Sequence, residues 1–180
     1  YLCAAGVVFL TLVECGRQLK DSNQISPNLM DFLDLVALGT VADVAPLTGV
    51  NRAFVRQGIK ILSNRKRLGL KFLFDKSGIN SSPTSYHLGY ILGPKLNAPG
   101  RIGPADLALR LLCSTSTSEA HDLCEQIEEL NTQRREIENI TREQALAQID
   151  KNQSKNSIIW SASEGWQPGV VGIVASRRNE

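Results

Sequence analysis

The sequence is poor in the residues that most often mark a metal or redox site. Histidine occurs twice, at His87 and His121, and the four cysteines, Cys3, Cys15, Cys113 and Cys124, form no C-x-x-C pair. These histidines and cysteines lack the spacing of a zinc site and the cysteines that of a disulfide framework. The cysteines are therefore expected to be small buried apolar residues in a reducing cytoplasm. Long apolar runs are missing too. The first, YLCAAGVVFLTLV, stops at Glu14, short of the roughly 20 residues that a membrane span needs. It has no basic leader of the kind a signal peptide carries, and it reads as a buried core helix. Methionine occurs once, at Met30. With a start at Tyr1 inside an apolar run and a stop just after a helical pattern begins, this points to a piece of a longer protein.

What is present is a globular composition. Apolar residues make up 42% of the 180 and charged residues 21%, enough for a real core in one domain, or one and part of a second. The net charge of +2 hides an asymmetry. Arg52, Arg56, Lys60, Arg65, Lys66, Arg67, Lys71 and Lys76 face only Asp75 in their stretch, whereas the stretch from Glu119 to Asp150 is mainly acidic. A basic segment of this kind can follow a phosphate backbone, or it can be a solvated helix face beside an acidic neighbour.

Periodicity organises the chain into helices. Residues 1–20 read as the first. In SPNLMDFLDLVALGT, Ser26 is placed to cap and Pro27 to open a helix, with Leu29, Phe32, Leu33, Val36 and Thr40 along one face. That helix is expected to end near Thr40, leaving Asp43 in a turn that Pro46 closes. Residues 51–74 form one or two helices, with apolar contacts from Ala53, Ile59, Ile61, Leu62 and Leu68. The glycines and prolines of GYILGPKLNAPGRIG are expected to interrupt regular structure until a helix opens at Ala105. From Ser118, a capping residue, to Asp150 the pattern is one long helix with a thin stripe of Leu123, Ile127, Leu130, Ile137 and Ile140. After it, Ser157 to Trp160 reads as a strand, and a turn around Trp166 leads into a helix at Val170.

Within LGTVADVAPL the aspartate Asp43 lies among Val41, Ala42, Val44 and Ala45. A carboxylate buried there has to be hydrogen-bonded, paired or metal-bound, because an isolated buried charge is very costly. The residues alone leave two readings: a turn carboxylate bonded to nearby backbone N–H groups, or a hard oxygen ligand of a divalent metal.

LGTVADVAPL, LGPKLNAPGRIG and EGWQPGVVGIVASR, taken in order with NLMDFLDLVALGT and the long acidic helix, resemble the RecJ family of single-strand-specific DNA exonucleases, within the DHH phosphoesterase superfamily. The resemblance covers nearly the whole chain. It implies an α/β fold of two lobes joined by a long helix: residues 1–117 the end of a DHH-type catalytic domain, mostly helical here, 118–150 the connecting helix, and 151–180 the beginning of a second α/β domain. It implies a bacterial cytoplasmic enzyme that degrades single-stranded DNA from the 5′ end, with Mn2+ or Mg2+, in recombination and repair. Its implied partners are single-stranded DNA, with single-strand-binding protein and other repair proteins, and no membrane. Asp43 matches the one family metal ligand that lies within this chain, so the chain alone is expected to be inactive. Nucleic-acid or phosphate contacts fall to Lys95, Asn97, Gly100, Arg101, Gln167 and Gly169. The family usually has arginine at Lys95, alanine at Pro99 and histidine at Gln167. Lysine loses the bidentate fork, Pro99 removes a backbone donor, and glutamine does not shuttle protons. Two other readings remain: a DHH phosphoesterase acting on oligoribonucleotides or cyclic dinucleotides, and a non-catalytic helical module binding nucleic acid through Arg52–Lys76.

Overall fold

The computed structural model of the protein describes residues 1–22, 24–25, 28–149 and 159–176. All regular structure among them is helical. No strand occurs among the described residues, so the α/β expectation meets only helices here. Ser157 and Ile158 of the expected strand lie outside the described residues, as do Ser26 and Pro27, while Ile159 and Trp160 carry no regular structure. No described helix is long and apolar enough to cross a membrane. The chain divides into two compact units, Tyr1–Pro94 with Leu111–Cys124, and Lys95–Arg110 with Glu125–Glu180.

In the first unit, α1 (Ala4–Asp21) is capped by the Cys3 thiol, which accepts the Gly6 N–H. It buries Gly6, Phe9 and Gly16, while Val7, Val8, Leu10, Leu12 and Val13 remain exposed. The expected core helix is thus buried along one side only. Cys15 and Cys113 are exposed and only Cys3 and Cys124 are buried, so the expectation of four buried thiols holds for two.

A short 3-10 turn, Met30–Phe32, runs into α2 (Leu33–Ala42), and α3 (Gly49–Leu62) packs across it. Phe9, Leu33, Val36 and Phe54 form the core of this contact, with the Phe9 and Phe54 rings edge to face at 5.4 Å. Gly58 sets the approach, since a Cβ there would strike the Leu33 carbonyl and the Ala37 side chain. The buried face of α3 is Asn51, Phe54, Val55, Gly58 and Leu62, spacings of three and four that keep one helical stripe inward. Ala53 falls off that stripe and is exposed, contrary to expectation. Helix α4 (Leu68–Lys76) buries Leu70, Leu73 and Phe74.

The Gly/Pro stretch is a helix rather than a loop. A π-helix, His87–Leu92, continues directly into α5 (Gly93–Ile102). Pro94 stands in the first turn of α5, where a missing N–H is tolerated. The preceding wide turn, in which the Gly93 N–H bonds back to the Leu88 carbonyl, is the adjustment that carries a helix past such a residue. Gly89 and Gly93 seat this segment on the end of α2. A Cβ at Gly89 would lie 3.1 Å from Val41 Cγ1, and one at Gly93 3.4 Å from Ala42 Cβ. Helix α6 (Leu107–Cys113) opens two residues later than Ala105.

Helix α7 (Thr117–Ala147) has 31 residues, about 46 Å at 1.5 Å per residue. Its cap is Ser116, whose hydroxyl accepts the Glu119 N–H, and not Ser118. In the second unit its buried face turns polar: after Ile127 come Asn131, Arg134, Glu138 and Thr141. Arg134 donates to Glu138 at 2.6 Å and to Asn131 Oδ1 at 3.2 Å. Ile140, expected on the apolar stripe, is exposed. Trp166 is half-buried and donates its indole N–H to Gln144 at 2.7 Å. Helix α8 (Pro168–Ser176) follows.

Candidate functional site

Asp43 is the residue that closes α2. Its backbone N–H still bonds to Gly39, the next N–H, of Val44, reaches the Val41 carbonyl, and that of Ala45 reaches Thr40. This pair of bonds is a Schellman motif, whose left-handed position is usually glycine. Here it is Val44, with φ 55°, a conformation that a β-branched residue adopts only under strain. The same motif ends α4, with Gly78 at φ 67° and bonds from Gly78 to Asp75 and Ile79 to Phe74.

Four further contacts hold this turn. Thr40, fully buried, donates to the Val36 carbonyl at 2.7 Å and lies 3.3 Å from the Cys3 thiol. The Asn51 amide donates to the Pro46 carbonyl at 3.0 Å and to the Tyr1 carbonyl at 2.7 Å. The expectation of a shielded carboxylate fails, because Asp43 is exposed. The helix ends at Asp43 and the chain turns away after it at Val44, and the carboxylate is left uncovered. Its oxygens have no hydrogen-bond partner among the described residues.

The second set of expected residues lies in the second unit. Asn97 and Arg101 share a face of α5, four residues apart, and both are exposed, as is Gly100. Arg101 donates to the Gly169 carbonyl at 2.7 Å. A Cβ on Gly169 would collide with the Arg101 backbone, so glycine is what lets the start of α8 lie against α5. Gln167 caps α8 and is exposed, its carbonyl accepting the N–H groups of Val170 and Val171. Arg101, Gly169, Gly100 and Gln167 are brought together at this junction. Lys95 is not available in the same way, since its ammonium is ion-paired with Glu128 in a largely buried contact.

The rule applied to Asp43 describes Asp34 instead, which sequence reasoning missed. Asp34 is buried in the first turn of α2 and is clasped by two of the three Arg67 guanidinium nitrogens, Nε at 2.7 Å and Nη2 at 3.2 Å. Arg67 also donates to the last carbonyls of α6, at Leu112. A cavity of about 380 Å3 opens beside this pair, lined in part by Asp31, Arg65, Lys66 and Ser114. Its cations are taken: Arg65 by Asp75 and the Ile79 carbonyl, Lys66 by Asp31. The basic stretch from Arg52 to Lys76 therefore spends two of its arginines on the fold.

No group of three or more histidine, cysteine or acidic side chains able to hold a metal occurs among the described residues. Asp43 has the hard oxygen donors that Mg2+ and Mn2+ prefer, but one carboxylate is not a metal centre. The described residues do not compose one by themselves.

No family model matches the chain. It is 37% identical over 94% of its length to the single-stranded-DNA-specific exonuclease RecJ of Bacillus subtilis, of which it covers 22%. It is 36% identical over 99% of its length to the protein of that name from Escherichia coli, covering 33% of it. The chain thus spans about a quarter to a third of these relatives. Among solved structures it is similar to a crystal structure of exonuclease RecJ bound to manganese, with a TM-score of 0.81 and 34% identity over 96% of this chain and 42% of that one. It is also similar to Thermus thermophilus RecJ in complex with Mg2+, with a TM-score of 0.77 and 33% identity over 88% of this chain and 25% of that one.

Proposed function

We propose that this chain, a segment of the RecJ family, carries part of the machinery of a metal-dependent exonuclease that removes nucleotides from the 5′ end of single-stranded DNA in recombination and repair. The observation that carries the proposal is the match, along nearly the whole chain, to proteins of that name. The unpartnered Asp43 carboxylate on a strained turn gives it a local chemical expression. Asp43 is one oxygen ligand of a Mn2+ or Mg2+ site, and the remaining ligands come from parts of the longer protein outside this chain. Ions held there would supply water activation and charge stabilisation at the scissile phosphate.

In this reading residues 1–117 close a catalytic lobe, 118–150 form the connecting helix and 151–180 begin a second α/β lobe. Asn97, Gly100, Arg101, Gln167 and Gly169 contact the phosphates of the strand, Arg101 through charge-assisted hydrogen bonds. The protein works in the cytoplasm. Lys95, held by Glu128, positions α5 against α7 rather than touching DNA.

The test is polarity. With Mn2+ and the full-length protein, a 5′ label on single-stranded DNA is released early and a 3′ label late. Early release of the 3′ label overturns the polarity, and activity on a dinucleotide but not on a long strand would make this a small-nucleotide phosphoesterase.

A further inference from the structure

Two tyrosines stand out on the surface of the first unit. Tyr86 and Tyr90 are 60% and 76% exposed, yet their rings are ordered against each other, centroids 5.2 Å apart and planes 23° from parallel. His87 meets Tyr86 edge-on at 6.0 Å. The rings lie on the His87–Leu92 π-helix and the residue just before it, and π-turns inside helices occur often at functional sites. Solvent-exposed, parallel aromatic rings offer an open π-face, and this is the surface on which unpaired nucleobases stack, whatever their sequence.

Placement and charge select the occupant. Gly89 and Gly93, which flank Tyr90, pack on Val41 and Ala42 at the end of α2, the residues immediately before Asp43. Tyr90 is the neighbour of Gly89, whose contact Val41 is two residues before Asp43. From Lys76 to Ala105 the sequence has no acidic residue at all, so nothing in this stretch repels a polyanion approaching the rings.

We infer that Tyr86 and Tyr90 form a base-stacking platform that holds a single-stranded nucleic acid one or a few nucleotides from the Asp43 turn. The inference rests on the function proposed above and names the contact by which the strand is held there. It acts through the base faces, whereas the α5–α8 junction acts through phosphates. Substitution to phenylalanine keeps the stacking surface, and substitution to alanine removes it.

The experiment uses the full-length protein and two strands of equal length, oligothymidylate and an abasic strand with the same phosphates. Binding is measured without divalent metal, and KM and kcat on oligothymidylate with Mn2+. The Tyr86→Ala/Tyr90→Ala variant is expected to bind oligothymidylate about tenfold more weakly and the abasic strand as before. KM should rise with kcat within a factor of two, and Tyr86→Phe/Tyr90→Phe should match wild type. Unchanged oligothymidylate binding and KM in the folded alanine variant overturn the platform while leaving the exonuclease reading intact. Equal weakening on both strands also overturns it, because the rings then act through the fold. Failure of wild type to bind or degrade either strand overturns both.

Discussion

Val44 gives a prediction whose sign runs against the usual effect of glycine. Placing an L-residue in the left-handed region costs about 1–2 kcal/mol, and Val44 occupies it at φ 55°. Its side chain is 86% exposed, so Val44→Gly gives up almost no buried surface. Against the relief of strain stands the larger entropy that glycine loses on folding, about 0.5–1 kcal/mol. The difference is a net stabilisation of about 0–1.5 kcal/mol. Gly78 supplies the mirror experiment, since it holds the same motif at φ 67° and a Cβ there would meet nothing within 4 Å. Gly78→Val then carries only the conformational cost and should destabilise by about 1 kcal/mol. Urea unfolding followed by far-ultraviolet circular dichroism reads both changes. The reasoning is refuted if Val44→Gly destabilises or if the two substitutions shift stability in the same direction. Under the ligand role proposed for Asp43, the more stable Val44→Gly variant of the full-length protein should also need several-fold more Mn2+ for half-maximal activity, its Asp43 turn being looser.

Two further outcomes follow from particular contacts. Asp34→Asn leaves the Arg67 guanidinium without its carboxylate; discounted for the partial exposure of Arg67, whose side chain is 21% accessible, the loss should be about 2–4 kcal/mol, and a loss under 1 kcal/mol in urea unfolding would show that the pair is a surface contact in effect. Gly169→Ala drives a methyl group into the Arg101 backbone, so it should cost about 1–3 kcal/mol by overpacking and weaken single-stranded DNA binding several-fold; wild-type affinity would remove the α5–α8 junction from the binding surface.

The helical frame was legible in the sequence because spacings of three and four apolar residues mark a buried stripe. α3 and α7 appear close to where those spacings put them, whereas α2 opens only at Leu33, behind a 3-10 turn, and Phe32, expected on its buried face, is exposed. The Gly/Pro stretch was misread because proline and glycine punctuate most chains, whereas here Pro94 follows directly on a π-turn and Pro99 is carried inside α5. Asp43 was singled out as the unusual residue of its stretch but assigned the wrong environment, since nothing in LGTVADVAPL announces that Val44 adopts a glycine conformation and that the carboxylate stays exposed. Asp34 was passed over although the same burial argument applied to it. Its partner Arg67 lies 33 residues away, and pairings at that distance leave no periodic trace. The tyrosine pair had a signal, aromatic residues four apart, but only a helix through residues 86–90 puts those rings face to face.

The most direct test of the account is a Mn2+ titration of 5′-label release by the full-length protein, wild type against Asp43→Asn. Asparagine keeps the size of the side chain and loses its charge. A ligand role predicts near-total loss of release at low Mn2+ from a protein that unfolds at the same urea concentration as wild type. Wild-type release at every Mn2+ concentration would make Asp43 a helix-ending residue and nothing more.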